Sequence, residues 1–266
     1  MPPTGNLDPS RALTIVILTL NEATDVADCV RSVTRAHEIL LLDSGSTDGT
    51  VELATRAASS IPLRVATHPF VNYSAQRNVA LGLVRTEWLL FLDADERLTR
   101  ALEDEIVRIL RRPDSDAYWI SRKNVLLGRW MRHTGWYPDE QLRLLRRAAV
   151  RYDETRPVHE VAAVDGEIGH LERPLIHHNY RSLGEFVEKQ RYYARFAAEQ
   201  MRREGVPRLR ALAGQPAREL KRRYVGLQGY RDGWRGLVFS LLLAHAKLRS
   251  VRWARASPPA LSLIHI

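Results

Sequence analysis

The stretch Trp88-Leu89-Leu90-Phe91-Leu92-Asp93-Ala94-Asp95-Glu96 decides the fold of this chain. Its five apolar residues predict a buried strand, and two carboxylates one residue apart follow where the chain leaves the sheet. In an open α/β sheet, ligands bind just outside the carboxyl ends of the strands. Two acids at that place are able to hold a divalent cation, because Mg²⁺ is usually held by one or two carboxylates and the substrate's phosphates. The same spacing also occurs in solvated turns and helix N-caps, so the rest of the chain has to support a site.

Three strand–helix units precede this stretch. The predicted strands cover residues 13–20, 39–42 and 63–67, and a helical pattern follows each of them, to about residues 33, 58 and 84. Strands that alternate with helices of about a dozen residues predict a mainly parallel sheet with right-handed crossovers.

Four motifs in this half of the chain resemble, in the same order, those of the family 2 glycosyltransferases, which have the GT-A fold. They are Val16-Ile17-Leu18-Thr19-Leu20-Asn21-Glu22, Leu42-Asp43-Ser44-Gly45-Ser46-Thr47-Asp48-Gly49-Thr50, Ala75-Gln76-Arg77-Asn78, and Phe91-Leu92-Asp93-Ala94-Asp95-Glu96. Later segments, at 136–139, 143–147 and 158–160, are similar to the bacterial lipopolysaccharide core β-glucosyltransferase branch. The resemblance implies an α/β GT-A fold, with a Rossmann-like, mainly parallel sheet, flanking helices and a helical C-terminal extension.

The resemblance also implies a binding site for the nucleotide of a sugar donor. Leu20, Asn21 and Glu22 would form the wall for the base and ribose, and the Asp43 carboxylate would accept a hydrogen bond from a uracil N–H. The motif around Arg77 implies a cation for the diphosphate, and Asp93 and Ala94 would complete the nucleotide site. Two plainer interpretations stay open: Asp43 and Asp48 as turn or capping residues, and Arg77 as a solvated arginine.

A metal site is the next implication of the resemblance. Asp95, with Asp93, would hold Mg²⁺ or Mn²⁺, which neutralises charge on the departing nucleoside diphosphate. His159 resembles the histidine that completes the metal shell in GT-A enzymes, and imidazole suits Mn²⁺ better than Mg²⁺. His177 or His178, at the end of another apolar strand, is the rival of His159, and a merely packed histidine is the alternative to both.

An inverting transfer needs a base that takes the proton of the acceptor hydroxyl. Asp139 is the first choice, because family members carry an acid here, usually in an acid–Asp pair. Pro138 stands in place of the first acid, which leaves the role of Glu140 open. The alternative is that Pro138-Asp139 forms a turn.

Three neighbours of this segment are further candidates for acceptor or diphosphate binding. Trp136 and Tyr137 would suit a sugar platform through their ring faces, or they are buried aromatic residues. Arg143 lies in a predicted strand after the acceptor loop, and either approaches the diphosphate or pairs with a surface acid.

The length and composition of the chain are consistent with these predictions. The chain has 266 residues, 45% of them hydrophobic, which is enough for one catalytic domain with a helical appendage. The single cysteine, Cys29, excludes an internal disulfide, is compatible with a reducing cytoplasm, and is predicted to be buried in the first helix. The opening residues are polar and the apolar run after them is short, so we expect neither a signal peptide nor a membrane span.

The positive charge of the chain predicts an anionic partner. The formal net charge is +9, and the excess of Lys and Arg is concentrated after Arg181. Such a distribution suits nucleic acid, an anionic membrane surface or a phosphorylated acceptor. No nucleic-acid-binding motif accompanies it, so we expect no nucleic acid. Residues 234–253 combine an apolar side with a Lys/Arg-rich flank, which is typical of an interfacial helix but also of a helix packed on a soluble domain.

We therefore predict a tail at 1–12, a catalytic domain at 13–180, a basic helical extension at 181–256 and a second tail at 257–266. The catalytic domain would consist of a nucleotide-binding half (13–100) and an acceptor half (101–180). The predicted enzyme is an inverting, metal-dependent transferase that moves a sugar from a nucleotide donor, such as a UDP-hexose, to a cell-envelope glycolipid such as the lipopolysaccharide core. We expect it in the cytoplasm, peripheral at the inner face of the cytoplasmic membrane. The alternatives are transfer to a polyprenyl phosphate, which membrane spans would favour, and a non-catalytic basic scaffold, against which the intact acids argue.

Overall fold

A computed structural model describes residues 9–154, 162–204 and 214–255 of the chain. The strands are β1 (Leu13–Thr19), β2 (Glu38–Asp43), β3 (Leu63–Thr67), β4 (Trp88–Asp93), β5 (Glu96–Arg97), β6 (Ala117–Leu126), β7 (Arg129–Trp130), β8 (Glu140–Arg146), β9 (Val150–Tyr152), β10 (Ala162–Val164), β11 (Ile168–His170) and β12 (Leu175–Tyr180). The α-helices are α1 (Val26–Ser32), α2 (Thr50–Ala57), α3 (Tyr73–Leu83), α4 (Arg100–Arg111), α5 (Leu183–Arg203), α6 (Gln215–Lys221) and α7 (Trp234–Arg255). Shorter 3₁₀ turns cover Pro9–Ala12, Arg147–Ala149 and Gly229–Asp232, and a π-helical turn covers Arg222–Gly226.

The described residues belong to two compact units, Met1–Lys123 with Asp139–His177, and Asn124–Pro138 with His178–Ile266. The first unit contains the predicted sheet, with the strand order β3-β2-β1-β4-β8-β6. The first four of these strands are parallel, and β8 is antiparallel to both β4 and β6. The α/β class and the GT-A-type sheet predicted from the sequence are thus confirmed, while the predicted division at residue 180 stays a prediction.

Both faces of the parallel sheet are buried, which explains why its strands are apolar without alternation. In β1, Ile15 and Ile17 contribute to one hydrophobic cluster and Val16 to the other. β4 divides its side chains between the same two clusters, with Leu90 on one face and Leu89 on the other. Because β1, β2 and β4 are parallel neighbours, the loops that follow them emerge at the same edge of the sheet. The chain reverses its strand order there, next to β1, which is where ligands of open α/β sheets bind.

The second unit has a core of its own. Five buried side chains form it, namely Leu126, Met131, Tyr180, Phe186 and Phe239. The helices α5 and α7 pack on each other, and the guanidinium of Arg202 donates to the carbonyl oxygens of Trp253 (2.5 Å) and Ala254 (3.3 Å) near the end of α7. None of the helices in the described ranges is both long and apolar enough to cross a bilayer.

Candidate functional site

The loops that follow β1 and β2 are hydrogen-bonded to each other. The backbone N–H of Asn21 donates to Ser46 Oγ (2.8 Å), and the Asn21 side-chain oxygen accepts from the N–H of Thr47 (3.0 Å). Two further bonds run from the N–H of Glu22 to Thr50 Oγ1 (2.8 Å) and from the N–H of Ala23 to Asp48 Oδ2 (3.0 Å). Asn21 has a φ of 57°, a left-handed conformation that asparagine tolerates better than most residues. The predicted wall of Leu20, Asn21 and Glu22 is thus held in one conformation by its neighbouring loop.

Asp43 lies buried at the carboxyl end of β2, and the protein itself occupies its carboxylate. Oδ1 accepts hydrogen bonds from the hydroxyls of Thr19 (2.9 Å) and Ser46 (2.5 Å). Oδ2 accepts from the backbone N–H groups of Gly45 (2.9 Å) and Ser46 (2.8 Å). A carboxylate has about four lone-pair sites, so these bonds fill it. The turn-forming role is what the geometry shows, and a direct bond from Asp43 to a nucleotide base stays a prediction that would need one of them to open.

Arg77 is a buried residue of α3 rather than a solvated one. Its guanidinium carbon lies 4.5 Å from the ring centre of Phe91 and 5.7 Å from that of Tyr152, so the cation rests on two aromatic faces. Its charge also contributes to lowering the pKa of Asp93. The structure thus brings the predicted diphosphate-binding cation towards the end of β4.

Asp93, the last residue of β4, forms a two-pronged ion pair with Arg143 of β8. One guanidinium nitrogen of Arg143 donates to Asp93 Oδ1 at 3.1 Å, and the other pairs with Oδ2. The second nitrogen also donates to Glu96 Oε1 at 2.9 Å, while Glu96 Oε2 accepts the backbone N–H of Asp93 at 3.0 Å. Burial acts to raise the pKa of Asp93, but the charges of Arg143 and Arg77 outweigh it and hold that pKa well below the ordinary value. Arg143 therefore pairs with the predicted nucleotide-binding acid and with the buried Glu96.

Glu96 is the most buried acid of this group, with a fully inaccessible side chain. Burial raises its pKa above the ordinary value, against the opposing charge of Arg143. Sequence reasoning gave Glu96 no role, although it lies directly after the Asp-Ala-Asp motif.

Asp139 precedes β8, and two nitrogens of an arginine hold one oxygen of its carboxylate. Arg122 of β6 donates to Asp139 Oδ2 through Nε (2.9 Å) and Nη2 (2.7 Å), and Gln141 Nε2 donates to Oδ1 (3.1 Å). The backbone N–H of Arg122 donates to the Asp139 carbonyl at 2.8 Å, which continues the β6–β8 ladder. The other Arg122 nitrogen, Nη1, lies 3.6 Å from Glu96 Oε1. Glu140, beside Asp139, instead faces His170 Nδ1 at 3.2 Å. The sequence gave no role to Arg122 either.

Asp95 lies in the turn between β4 and β5, next to Ala94, and its Oδ2 is 3.1 Å from His177 Nε2. The contact follows from strand pairing, because β12 places His177 opposite Glu96 of β5. In the described ranges no group of three or more His, Cys, Asp or Glu residues is arranged to hold a metal ion. His159 lies outside the described residues. A carboxylate beside an imidazole is a donor pair that fits a divalent cation whose other ligands are phosphate oxygens.

In the second unit, Trp136 is packed against other aromatic rings. Its ring contacts Tyr180, Phe186 and Phe239 edge-on, with centroid distances of 6.1, 6.3 and 6.2 Å. Tyr137 is half-buried, and its ring meets that of Trp130 edge-on at 5.5 Å. Both rings are half-buried and packed against other aromatic residues, and a sugar contact of either one stays a prediction.

Comparisons with known proteins give the family that the chain resembles. Residues 14–163 match the family described as glycosyl transferase family 2. The lipopolysaccharide core biosynthesis glycosyltransferase LpsC of Rhizobium meliloti is 31% identical over 266 residues, covering 94% of this chain and 96% of that protein. An uncharacterized glycosyltransferase of Rickettsia conorii is 33% identical over 114 residues, which cover 42% of this chain and 39% of that protein. The crystal structure of S. aureus TarS 1–349 in complex with UDP-GlcNAc covers 92% of this chain and 90% of its own, with a TM-score of 0.51 and 14% identity, a likeness of fold alone.

Proposed function

The chain belongs to the family 2 glycosyltransferases, and from that premise we propose that it is an inverting enzyme that transfers a hexose from a UDP-linked donor to a cell-envelope glycolipid. The observation that carries the proposal is the line of charged side chains at the carboxyl end of β4, where a nucleotide diphosphate would bind. The similarity to LpsC over nearly the whole of both chains supports the lipopolysaccharide core as the acceptor class. The predicted enzyme class, a glycosyltransferase, is confirmed by the family.

The donor nucleotide would lie along the fixed loop of Leu20, Asn21 and Glu22. Arg77 lies on aromatic rings, which confine its guanidinium and lower the entropy lost on binding a phosphate. Asp93 is kept ionised by Arg143, so it can accept hydrogen bonds from the ribose hydroxyls.

Asp95 and an imidazole, from His177 or His159, would hold the divalent cation. Because imidazole is a better ligand for Mn²⁺ than for Mg²⁺, we propose Mn²⁺ as the preferred ion. When bound, such an ion stabilises negative charge on the departing diphosphate.

Asp139 would act as the base. In a single displacement the acceptor hydroxyl attacks the anomeric carbon, and its proton passes to the Asp139 carboxylate. The bond to UDP breaks at the same time, and its electron pair leaves on the β-phosphate oxygen. General-base assistance of this kind is typically worth about 10²–10⁴-fold in rate.

The acceptor is lipid-anchored in this proposal, and α7 offers a surface for the membrane that carries it. Trp234, Leu237 and Leu241 are 57%, 40% and 48% exposed, and their spacing puts them on one side of the helix. The same side continues towards the end of α7 with the exposed Arg252 and Arg255. An apolar side continued by cations is how a helix binds an anionic bilayer surface. This surface supports the proposal that the enzyme acts at the inner face of the cytoplasmic membrane.

Vesicle sedimentation tests the membrane surface. Replacement of Trp234, Leu237 and Leu241 by Ser should release the protein from phosphatidylglycerol-containing vesicles, because the apolar side no longer inserts. The control is Val71→Ser, which removes an apolar side chain that is 69% exposed in the first unit and should leave binding unchanged. If the triple variant sediments like the unchanged protein, α7 is not the docking surface.

A donor screen tests the function itself. The purified protein is incubated with UDP-glucose, UDP-galactose, UDP-GlcNAc and GDP-mannose, each with Mn²⁺ or Mg²⁺, and the released nucleotide is measured with water as the acceptor. We expect release from one UDP-hexose, fastest with Mn²⁺, and faster again when extracted lipopolysaccharide core is added. Release from GDP-mannose alone would refute the UDP donor.

A further inference from the structure

Arg122 holds the side chain and the backbone of Asp139 at the same time. Two guanidinium nitrogens bind Oδ2 of the carboxylate, and the Arg122 N–H binds the Asp139 carbonyl. Arg122 is itself fixed, because its strand β6 pairs with β8 from Ser121–Glu140 onwards. Both bonds end on the same oxygen, and the amide of Gln141 donates to the other oxygen, Oδ1, at 3.1 Å. Charge-assisted hydrogen bonds of this kind are the strong ones, so Arg122 is the main residue that orients Asp139, with Gln141 beside it.

The same arginine continues a line of alternating charges. Arg122 lies 3.6 Å from Glu96, Glu96 accepts a hydrogen bond from Arg143 at 2.9 Å, and Arg143 holds Asp93. The line Asp139–Arg122–Glu96–Arg143–Asp93 therefore joins the proposed base to the proposed donor-binding acid within the first unit. Each acid in the line contacts at least one arginine, and each arginine contacts two acids.

We propose that Arg122 is a positioning residue, which orients Asp139 towards the acceptor hydroxyl and keeps its distance from Asp93 fixed through Glu96 and Arg143. This inference rests on the proposed role of Asp139. Its physical basis is that a reacting group displaced by about 1 Å can cost about 10²-fold in rate. The guanidinium also favours the ionised carboxylate, which is the form that accepts a proton.

Five variants distinguish positioning of Asp139 from a purely structural role of Arg122. Arg122→Gln removes the charge, and Arg122→Lys keeps the charge but offers one donor nitrogen where arginine offers two. The others are Asp139→Asn and its combination with each Arg122 variant. The control is Arg146→Gln. Like Arg122, Arg146 is a strand arginine with two acidic partners, Asp116 at 3.0 Å and Glu87 at 3.4 Å, but it contacts neither Asp139 nor Glu96 in the described residues. Nucleotide release from the best donor of the screen is measured from pH 5 to 9, together with the melting temperature.

Arg122→Gln should lower kcat by about 10–10²-fold and leave the donor KM unchanged, and Arg122→Lys should recover part of the loss. The acid limb of the kcat–pH profile should move to higher pH in Arg122→Gln, because an opposite charge beside the base is lost. In the Asp139→Asn background, Arg122→Gln should cause no further loss, since Arg122 acts through Asp139. Arg146→Gln should change neither kcat nor the pH profile.

Additive losses in the double variant, or a kcat–pH profile that does not move, would overturn the positioning role and leave the proposed function standing. Full activity of Asp139→Asn would instead refute the base, and the inference with it. If Arg122→Gln does not fold, Arg122→Lys carries the test. An unchanged kcat of Arg122→Lys, both alone and together with Asp139→Asn, would then refute a need for the two donor nitrogens of arginine.

Discussion

Replacement of Arg143 by Met should destabilise the first unit far more than the loss of an ordinary strand arginine. Arg143 is 3% exposed and pairs with two acids, of which Glu96 is 0% and Asp93 37% exposed. Breaking a buried ion pair by removing one partner typically costs about 3–5 kcal/mol, because a charge stays buried without compensation. Water can solvate Asp93 in the variant, and Arg122 remains 3.6 Å from Glu96. We therefore expect a loss at the lower end of this range, about 3 kcal/mol in the free energy of unfolding.

The pH dependence of this loss of stability shows which carboxylate keeps an uncompensated charge when Arg143 is removed. Burial already raises the pKa of Glu96, and Arg143 opposes that rise, so the variant should raise it further. An acid whose pKa is higher in the folded state loses stability as the pH rises through that value, and regains it when protonated. Asp93, whose pKa is lowered in the unchanged protein, gives its stabilisation at higher pH and loses it in acid. Both effects reduce the difference in stability between variant and parent as the pH falls. The effect of Glu96 acts first, and that of Asp93 only below the ordinary aspartate pKa of about 4, so Glu96 determines the change between pH 8 and pH 5.

Thermal unfolding at several pH values measures the effect. At about 2–4 °C per kcal/mol for a unit of this size, Arg143→Met should melt ~6–12 °C lower at pH 8, with a smaller difference at pH 5. The control Arg146→Met removes an arginine that is 34% exposed, and exposed pairs contribute only about 0–1 kcal/mol. Adding Glu96→Gln to Arg143→Met should restore part of the loss, because the unpaired charge is gone. Equal melting of the Arg143 and Arg146 variants, or a gap that widens in acid, would refute the reasoning.

The other predictions concern the reaction and the metal. Asp139→Asn should lower kcat by about 10²–10⁴-fold while calorimetry shows unchanged donor affinity, and loss of donor binding would move Asp139 to the nucleotide site. Asp95→Asn should reduce metal-dependent nucleotide release by more than about 10²-fold and weaken Mn²⁺ binding in a spectroscopic titration with UDP present. Unchanged Mn²⁺ affinity would exclude it as a ligand. His177→Ala and His159→Ala separate the two candidate imidazoles, because Mn²⁺ affinity should fall only when the ligand is removed.

The sequence predicted the parallel sheet because the evidence for it is local. Five consecutive apolar residues predict strand β4, and a run of this kind requires that both faces of the sheet be buried, as they are. The charge line was not predictable in the same way. Arg122 reaches Asp139 and Glu96 only through the register of β6 against β8, and a single sequence does not define register between strands.

The hydrogen bonds of Asp43 also depend on contacts that the sequence alone does not define. Its place at the end of β2 was predictable, but two of its four donors come from the Ser46 turn residue and one from Thr19, which β1–β2 pairing sets opposite it. The three aromatic rings around Trp136 were likewise not predictable, because they come from residues distant in the sequence.

The environments of the acids indicate where a metal ion would centre. Asp43 is saturated by hydrogen bonds, and Asp93 and Asp139 are each held by two nitrogens of an arginine. Asp95, 29% exposed, differs, because in the described part of the chain its ionisable partner is the imidazole of His177. A cation competes poorly for a carboxylate that a guanidinium already holds, whereas an imidazole beside a carboxylate supplies a second ligand. We therefore propose Asp95 as the metal ligand, and Asp93, which Arg143 holds, as the acid that binds the nucleotide.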